Sequence, residues 1–131
     1  MNVEIQVVPE SVYYSDAENN WLDANLGITG WGSRPYPQFY LNVMLECGAK
    51  WNESHFCDDA FDALATTAGT SLNEQQRIAA YRDIQVLLAD RGPVIIPYYF
   101  AQFGAISDQF DGFELKAFAG RTDFRDVSLA E

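Results

Sequence analysis

The pattern of apolar and polar positions is clearest between residues 58 and 92, where it predicts two helices. Asp58 can cap the first helix, and Gly69 favours a left-handed stop at its end. Ser71 and Glu74 have the spacing of a capping box, which predicts the start of the second helix before Gly92-Pro93 ends it. The apolar faces consist of Ala60, Phe61, Leu64, Ala65 and Ala68 in the first helix, and of Ala80, Tyr81, Ile84, Leu87 and Leu88 in the second.

Three other segments have the pattern of strands. Residues 3–8 alternate between the two faces and stop at Pro9, and residues 26–31 form a short apolar run that ends in glycines. Residues 93–100 are β-branched and aromatic, and their two prolines favour an edge or crossover strand. A shorter strand-like piece lies at 113–115.

Two further helices are expected in the first half of the chain. Residues 11–25 are a weaker helix candidate, because few apolar positions lie among their Asp and Asn residues. Pro37 suits the first turn of the next helix, where its missing N–H costs nothing. That helix has a stripe formed by Phe39, Tyr40, Val43 and Met44. The resulting order of strand, helix, strand, three helices and strand predicts an α/β fold.

Composition and charge limit the classes of function that this chain can have. The 131 residues are 48% hydrophobic and 15% aromatic, which is typical of one packed domain. The net charge of -11 and only eight Lys and Arg residues disfavour nucleic acid as a partner. No apolar run is long enough for a bilayer-spanning helix, and no signal peptide opens the chain. The first residues enter a strand pattern directly, as we expect of a piece of a longer protein.

A candidate binding turn, GITGWGSRPYP, occupies residues 27–37. Its tryptophan lies at the carboxyl end of the predicted strand 26–31, and ligands bind at the carboxyl ends of strands in open α/β sheets. Its glycines allow a close approach to the backbone, its aromatic rings offer apolar walls, and its arginine offers a planar fork for a carboxylate. The sequence is about equally consistent with Trp31 as a buried core residue and as a ligand-binding residue. The candidate ligand-binding residues are Gly30, Trp31, Gly32, Arg34, Tyr36 and Trp51.

Catalytic and metal chemistry has little support. His55 is the only histidine, no nucleophile motif accompanies it, and we interpret it as an ordinary loop residue. The glycines of the turn do not fit a nucleotide-binding motif, so no cofactor is expected. Asn52-Glu53-Ser54 is formally a glycosylation sequon. Cys47 and Cys57 could form a disulfide or stay as two buried thiols, and a zinc site is disfavoured because only one histidine lies nearby.

The order of motifs resembles the C-terminal part of the extracytoplasmic solute-binding proteins of peptide/nickel-type ABC transporters (family 5), the dipeptide- and oligopeptide-binding group. The resemblance covers the whole chain and rests on the succession Asn52, Phe61-Asp62-x-Leu64, Arg77-x3-Tyr81 and Pro93-x3-Pro97. The matching segments are GITGWG, PQFYLNVML, WNESHFCDDAFDALATTAG, LNEQQRIAAYRDIQVLLADRGPVIIPYYF and FDGFELKAFAGRTDFRDVSL.

The resemblance implies a two-lobed type II periplasmic-binding-protein fold that closes by hinge motion and catalyses nothing. Residues 1–100 would belong to the second, C-terminal lobe, and residues 101–131 would cross the hinge and return to the first. The partners would be a small-molecule or peptide solute and a membrane permease. The location would be periplasmic or otherwise extracytoplasmic, with the signal peptide in a missing N-terminal part. Some relatives carry a disulfide at positions like Cys47 and Cys57, which favours that pairing here.

One difference from the peptide-binding relatives concerns the charge of the solute. In peptide-binding relatives an Asp three residues after the tryptophan pairs with the amino terminus of the peptide, and here that position is Arg34. Two buried cations would repel each other, so the resemblance implies solute binding with an anionic or polar group facing Arg34. Two other classes stay open: a secreted carbohydrate-binding module and a fragment of a glycoside hydrolase.

Overall fold

The computed structural model describes residues 2–15, 21–116, 118 and 121–130. These residues divide into two compact units, one of Met1–Gly30 and Gln38–Val94 and the other of Trp31–Pro37 and Ile95–Glu131. The helices are α1 (Glu10–Tyr13), α2 (Pro37–Tyr40) with a π-helical continuation (Leu41–Leu45), α3 (Asp59–Thr70) and α4 (Glu74–Arg91). The strands are β1 (Phe110–Asp111) and β2 (Ser128–Leu129).

The core of the first unit lies where α3 and α4 pack together. Phe61 is completely buried, and Phe56 contacts it edge-on with ring centroids 5.4 Å apart. The predicted apolar faces are largely confirmed, except that Ala60 is exposed. The buried core consists of Leu41, Leu45, Phe61, Ala65, Ala68, Ala80 and Ile84.

The predicted helix caps are confirmed at two positions and wrong at two others. Asp58 accepts hydrogen bonds from the amides of the first turn of α3, and Gly92 closes α4 in the left-handed conformation at φ 60°. The cap of α4 is Asn73, whose side chain accepts from the Gln76 amide at 3.1 Å, so the capping box at Ser71 is wrong. Ser71 instead ends α3, because its amide bonds the carbonyl of Thr67.

Gly69 lies inside α3 and does not stop it, because the helix continues to Thr70. The Gln38 side chain packs over this glycine, where a Cβ would lie 3.0 Å from its amide group. Gln38 donates to the carbonyl of Ala65 at 3.1 Å and accepts from the hydroxyl of Tyr81 at 3.1 Å. Gly69 therefore makes room for a side chain that links α2, α3 and α4.

The helix that starts at Pro37 is confirmed, but its predicted stripe is confirmed only in part, since Met44 packs against the core while no stripe residue is fully buried. Its fully buried side chains are Leu41 and Leu45, whereas the predicted stripe residues are half-buried. The π-helical turn explains the difference, because its i→i+5 hydrogen bonds change the register in which side chains meet the core.

The predicted strands at 3–8, 26–31 and 93–100 do not form ladders among the described residues. Ile5, Ile28 and Ile95 are more than four-fifths exposed, since no neighbouring strand covers them. A strand needs a partner for its backbone groups, and the alternating pattern specifies only which side chains share a face. The type II fold and its division into lobes stay predictions.

The helix predicted for 11–25 is wrong in its extent. Only α1 forms, residues 21–23 make a turn, and residues 16–20 lie outside the described part of the chain.

The second unit has a small antiparallel ladder in which Phe110 pairs with Leu129. Gly112 follows β1 at φ 83°, and a Cβ there would lie 1.9 Å from the carbonyl oxygen of Asp126, so this position requires glycine. Phe113 and Phe124 stack with their centroids 6.0 Å apart. The strand-like piece predicted at 113–115 therefore lies after β1 and outside the ladder.

Candidate functional site

The candidate turn is part of the second unit from Trp31 onward, while Gly30 and Trp51 belong to the first. Trp31 is half-buried, so it neither sits fully in a core nor stands out as an exposed ring. Tyr36 is 66% exposed. The structure thus groups Trp31, Gly32, Arg34 and Tyr36 on one short segment.

The side chain of Arg34 folds back over its own turn. Its Nη1 donates to the carbonyl of Ser33 at 3.0 Å. A Cβ on Gly32 would lie 2.9 Å from the same Nη1, so the missing side chain of Gly32 leaves room for the guanidinium. Arg34 is exposed, so its guanidinium lies at the surface of the turn.

Trp51 lies in the loop between the π-helical turn and α3. Its amide donates to the carbonyl of Val43 at 2.8 Å, which fixes the backbone of the loop to the π-helical turn. Its ring lies 6.4 Å from that of Phe39, and the ammonium of Lys50 lies 5.8 Å from the ring centroid. The half-buried indole is thus held by a ring on one element and a cation on its own loop.

The loop that carries Trp51 is closed by a disulfide between Cys47 and Cys57, which confirms the pairing. Both cysteines are exposed, so two buried thiols and a zinc site are wrong. The amide of Cys47 also donates to the carboxylate of Asp62 at 3.2 Å, which attaches the loop to α3.

Asn52 organises the inside of this loop. It is 7% exposed, and its Nδ2 donates to the carbonyls of Glu46 at 3.1 Å and of Phe56 at 2.6 Å. Its Oδ1 accepts from the hydroxyl of Ser54 and the amide of Phe56. Because both hydrogens of the amide are used inside the fold, the sequon is a structural feature and leaves no room for a glycan on this nitrogen.

The described residues add no metal-ligating group to those that the sequence suggested. His55 is an exposed loop residue in the left-handed region at φ 52°, as its loop assignment predicted. No group of three or more His, Cys, Asp or Glu residues in the described ranges could hold a metal ion. In the same ranges, no helix is both long and apolar enough to cross a membrane.

The sequence pattern missed a polar network at the start of the turn. The hydroxyl of Thr29 donates to Glu53 Oε2 at 2.5 Å and shares a hydrogen bond of 2.9 Å with the hydroxyl of Tyr13. Tyr13 and Thr29 are 16 positions apart along the chain, and Thr29 and Glu53 are 24 apart, so no local motif joins them. The network holds the segment that leads into Trp31.

Comparisons with known proteins give two distant relatives, both periplasmic binding proteins. The chain is 27% identical over 99 residues to the probable ABC transporter periplasmic-binding protein SapA of Escherichia coli strain K12, covering 72% of this chain and 18% of that protein. It is 25% identical over 132 residues to the peptide transport periplasmic protein SapA of Salmonella typhimurium strain LT2, covering 98% of this chain and 24% of that protein.

The chain therefore spans only about a fifth to a quarter of the length of these relatives. No family model matches it, and no solved structure matches it significantly. The similarity supports a distant relation to periplasmic binding proteins of ABC transporters, which are not enzymes.

Proposed function

We propose that the chain is the solute-binding C-terminal portion of an extracytoplasmic binding protein for ABC-transporter import, with the type II fold. The observation that carries the proposal is the similarity to a peptide transport periplasmic protein over 98% of the chain. A peptide or a related small polar or anionic solute would bind without being chemically changed, and a membrane permease would receive it.

The candidate turn supports an anionic group on the solute. Arg34 is exposed, and its Nη1 lies close to Gly32, where a Cβ would come within 2.9 Å of it. A guanidinium binds a carboxylate through two parallel hydrogen bonds, which favours a planar anion over an ammonium group at this position. Trp31 and Tyr36 would supply the apolar walls.

The proposal is tested by calorimetry on the protein at the full length of its reading frame, titrated with Ala-Glu-Ala and with Ala-Gln-Ala. We expect the acidic peptide to bind more tightly, and Arg34→Ala to weaken its binding by about 2–5 kcal/mol because the carboxylate is left unpaired. Arg34→Lys should restore only part of the affinity, since Lys lacks the planar fork.

The control is Arg82→Ala, which removes the same charge from an exposed position on α4. This change should alter the affinity by less than about 0.5 kcal/mol. Equal effects of Arg34→Ala and Arg82→Ala would remove the pairing role of Arg34. Binding of an oligosaccharide, with no binding of either peptide, would replace peptide import with carbohydrate recognition.

A further inference from the structure

A second candidate site lies in the first unit, at the network that contains Thr29. The network joins Tyr13 of α1, Thr29 and Glu53 through the two hydrogen bonds of Thr29. All three side chains are half-buried, so the carboxylate of Glu53 lies close to the surface and is held in place by a neutral hydroxyl. A carboxylate fixed in this way has a defined direction in which it can accept further hydrogen bonds.

Aromatic rings extend from this network. The rings of Tyr13 and Tyr14 meet edge-on with centroids 5.0 Å apart, and Tyr14 meets Trp21 in the same way at 5.4 Å. The amide of Trp21 donates to the carbonyl of Tyr13 at 3.2 Å, which holds the third ring beside α1. We call Tyr13, Tyr14, Trp21 and Glu53 the aromatic–carboxylate cluster.

Two glycines lie beside the cluster, one packed against its side chains and one next to open space. A Cβ on Gly27 would lie 2.7 Å from the hydroxyl oxygen of Tyr13, so the network approaches this glycine closely. A Cβ on Gly30 would meet nothing within 4 Å, which shows open space where this strand-like segment passes Tyr14. Tyr14 itself is 39% exposed.

Two carboxylates act on the hydroxyl of Tyr14. Partial burial raises the pKa of the Tyr14 hydroxyl, and a backbone hydrogen bond from Gly30 acts in the opposite direction. The charges that raise this pKa further include the carboxylates of Glu10 and Glu53. Negative charge beside aromatic faces favours a positively charged group and disfavours an anion.

We propose that the aromatic–carboxylate cluster is a subsite for an organic cation, either an ammonium or a guanidinium group of the solute. The cation donates hydrogen bonds to Glu53, and the rings of Tyr14 and Trp21 contact it through their faces. This assignment rests on the proposed solute-binding function, because the cation is a group of the solute.

A purely structural role makes a different prediction. If the cluster only holds the segment before Trp31, then changing Glu53 alters stability but not the preference between charged and neutral ligands. Glu53→Gln separates the two roles, because the amide oxygen still accepts from Thr29 while the negative charge is lost. The matched control is Glu74→Gln, which removes the same charge at the exposed start of α4.

The test uses the full-length protein labelled with ¹⁵N and titrated with n-butylammonium chloride, with 1-butanol and sodium chloride as neutral and ionic controls. The readout is the indole N–H signal of Trp21, which Trp21→Phe identifies. We expect n-butylammonium to shift this signal saturably, and Glu53→Gln to weaken that binding by about fivefold or more. Glu74→Gln should leave it within about twofold.

The proposal is overturned if n-butylammonium shifts the Trp21 signal no more than the controls do, or if Glu53→Gln and Glu74→Gln behave alike. Far-UV circular dichroism confirms that each variant is folded. Failure of every peptide to bind, with the n-butylammonium effect retained, would refute peptide import and leave the cation subsite standing. Peptide binding without the n-butylammonium effect would refute the cation subsite and leave peptide import standing.

Discussion

Replacing Asn52 by Asp tests whether its buried amide holds the loop that carries Trp51. The wild-type Nδ2 donates two hydrogen bonds to carbonyl oxygens, and Asn52→Asp removes both while keeping the size of the side chain. Each bond contributes about 1 kcal/mol net, and a buried carboxylate facing two carbonyl oxygens adds a further penalty. We expect the free energy of unfolding to fall by about 3 kcal/mol near neutral pH.

The cost should depend on pH in a defined direction. The two carbonyl oxygens raise the pKa of the introduced carboxyl in the folded state above its unfolded value of about 3.9. Below a pH of about 3.9 the introduced carboxyl is protonated in both the folded and the unfolded state. The loss of unfolding free energy then falls to about 1 kcal/mol, because the protonated carboxyl can donate one hydrogen bond again. The cost grows as the pH rises through the unfolded pKa and levels off above the folded one.

Urea unfolding followed by far-UV circular dichroism, in acid and at neutral pH, measures both effects. Asn25→Asp is the matched control, because it makes the same chemical change at an exposed position and should cost less than about 0.5 kcal/mol. If Asn52→Asp costs no more than Asn25→Asp at neutral pH, or if its cost does not shrink in acid, then the buried amide does not hold the loop.

Three further changes follow from the geometry. Replacing Cys47 and Cys57 together by Ser should lower the free energy of unfolding by about 2.7 kcal/mol for a closed loop of this length, and equal urea midpoints for variant and oxidised wild type would contradict this. Gly92→Ala should cost about 1 kcal/mol at its positive φ, and an unchanged melting temperature would argue against that strain. Gly32→Ala should displace the Arg34 guanidinium and weaken binding of Ala-Glu-Ala without changing stability, and calorimetry showing unchanged affinity would refute this.

The sequence predicted those parts of the fold that depend on local interactions. Asp58, Pro37 and Gly92 each act on their own helix end, and all three were placed correctly. The start of α4 was misplaced because Asn73 and Ser71 are both good capping residues. The local pattern cannot choose between the two residues. The structure does, because the amide of Ser71 bonds the carbonyl of Thr67 at the end of α3.

The candidate site was less predictable because it depends on contacts between distant parts of the chain. Glu53 meets Thr29 across 24 positions, and no periodicity encodes that pair. Asn52 was seen as part of a sequon, but its role depends on the buried carbonyls around it. The disulfide was one of several open interpretations until the family resemblance favoured it, and the structure then confirmed the pairing.

The last prediction concerns the three predicted strands that form no ladder among the described residues. Residues 3–8, 26–31 and 93–100 have strand patterns, but their isoleucines are largely exposed and they form no ladder among the described residues. Apolar runs of this kind invite pairing with another strand. We propose that strands outside these 131 residues pair with them, as the type II fold requires. Hydrogen exchange should then be slow at the amides of the three runs in the full-length protein and fast in the isolated chain, while α3 and α4 are protected in both. Equally fast exchange of the three runs in both proteins would refute the type II fold for this chain, although the similarity to periplasmic binding proteins would remain.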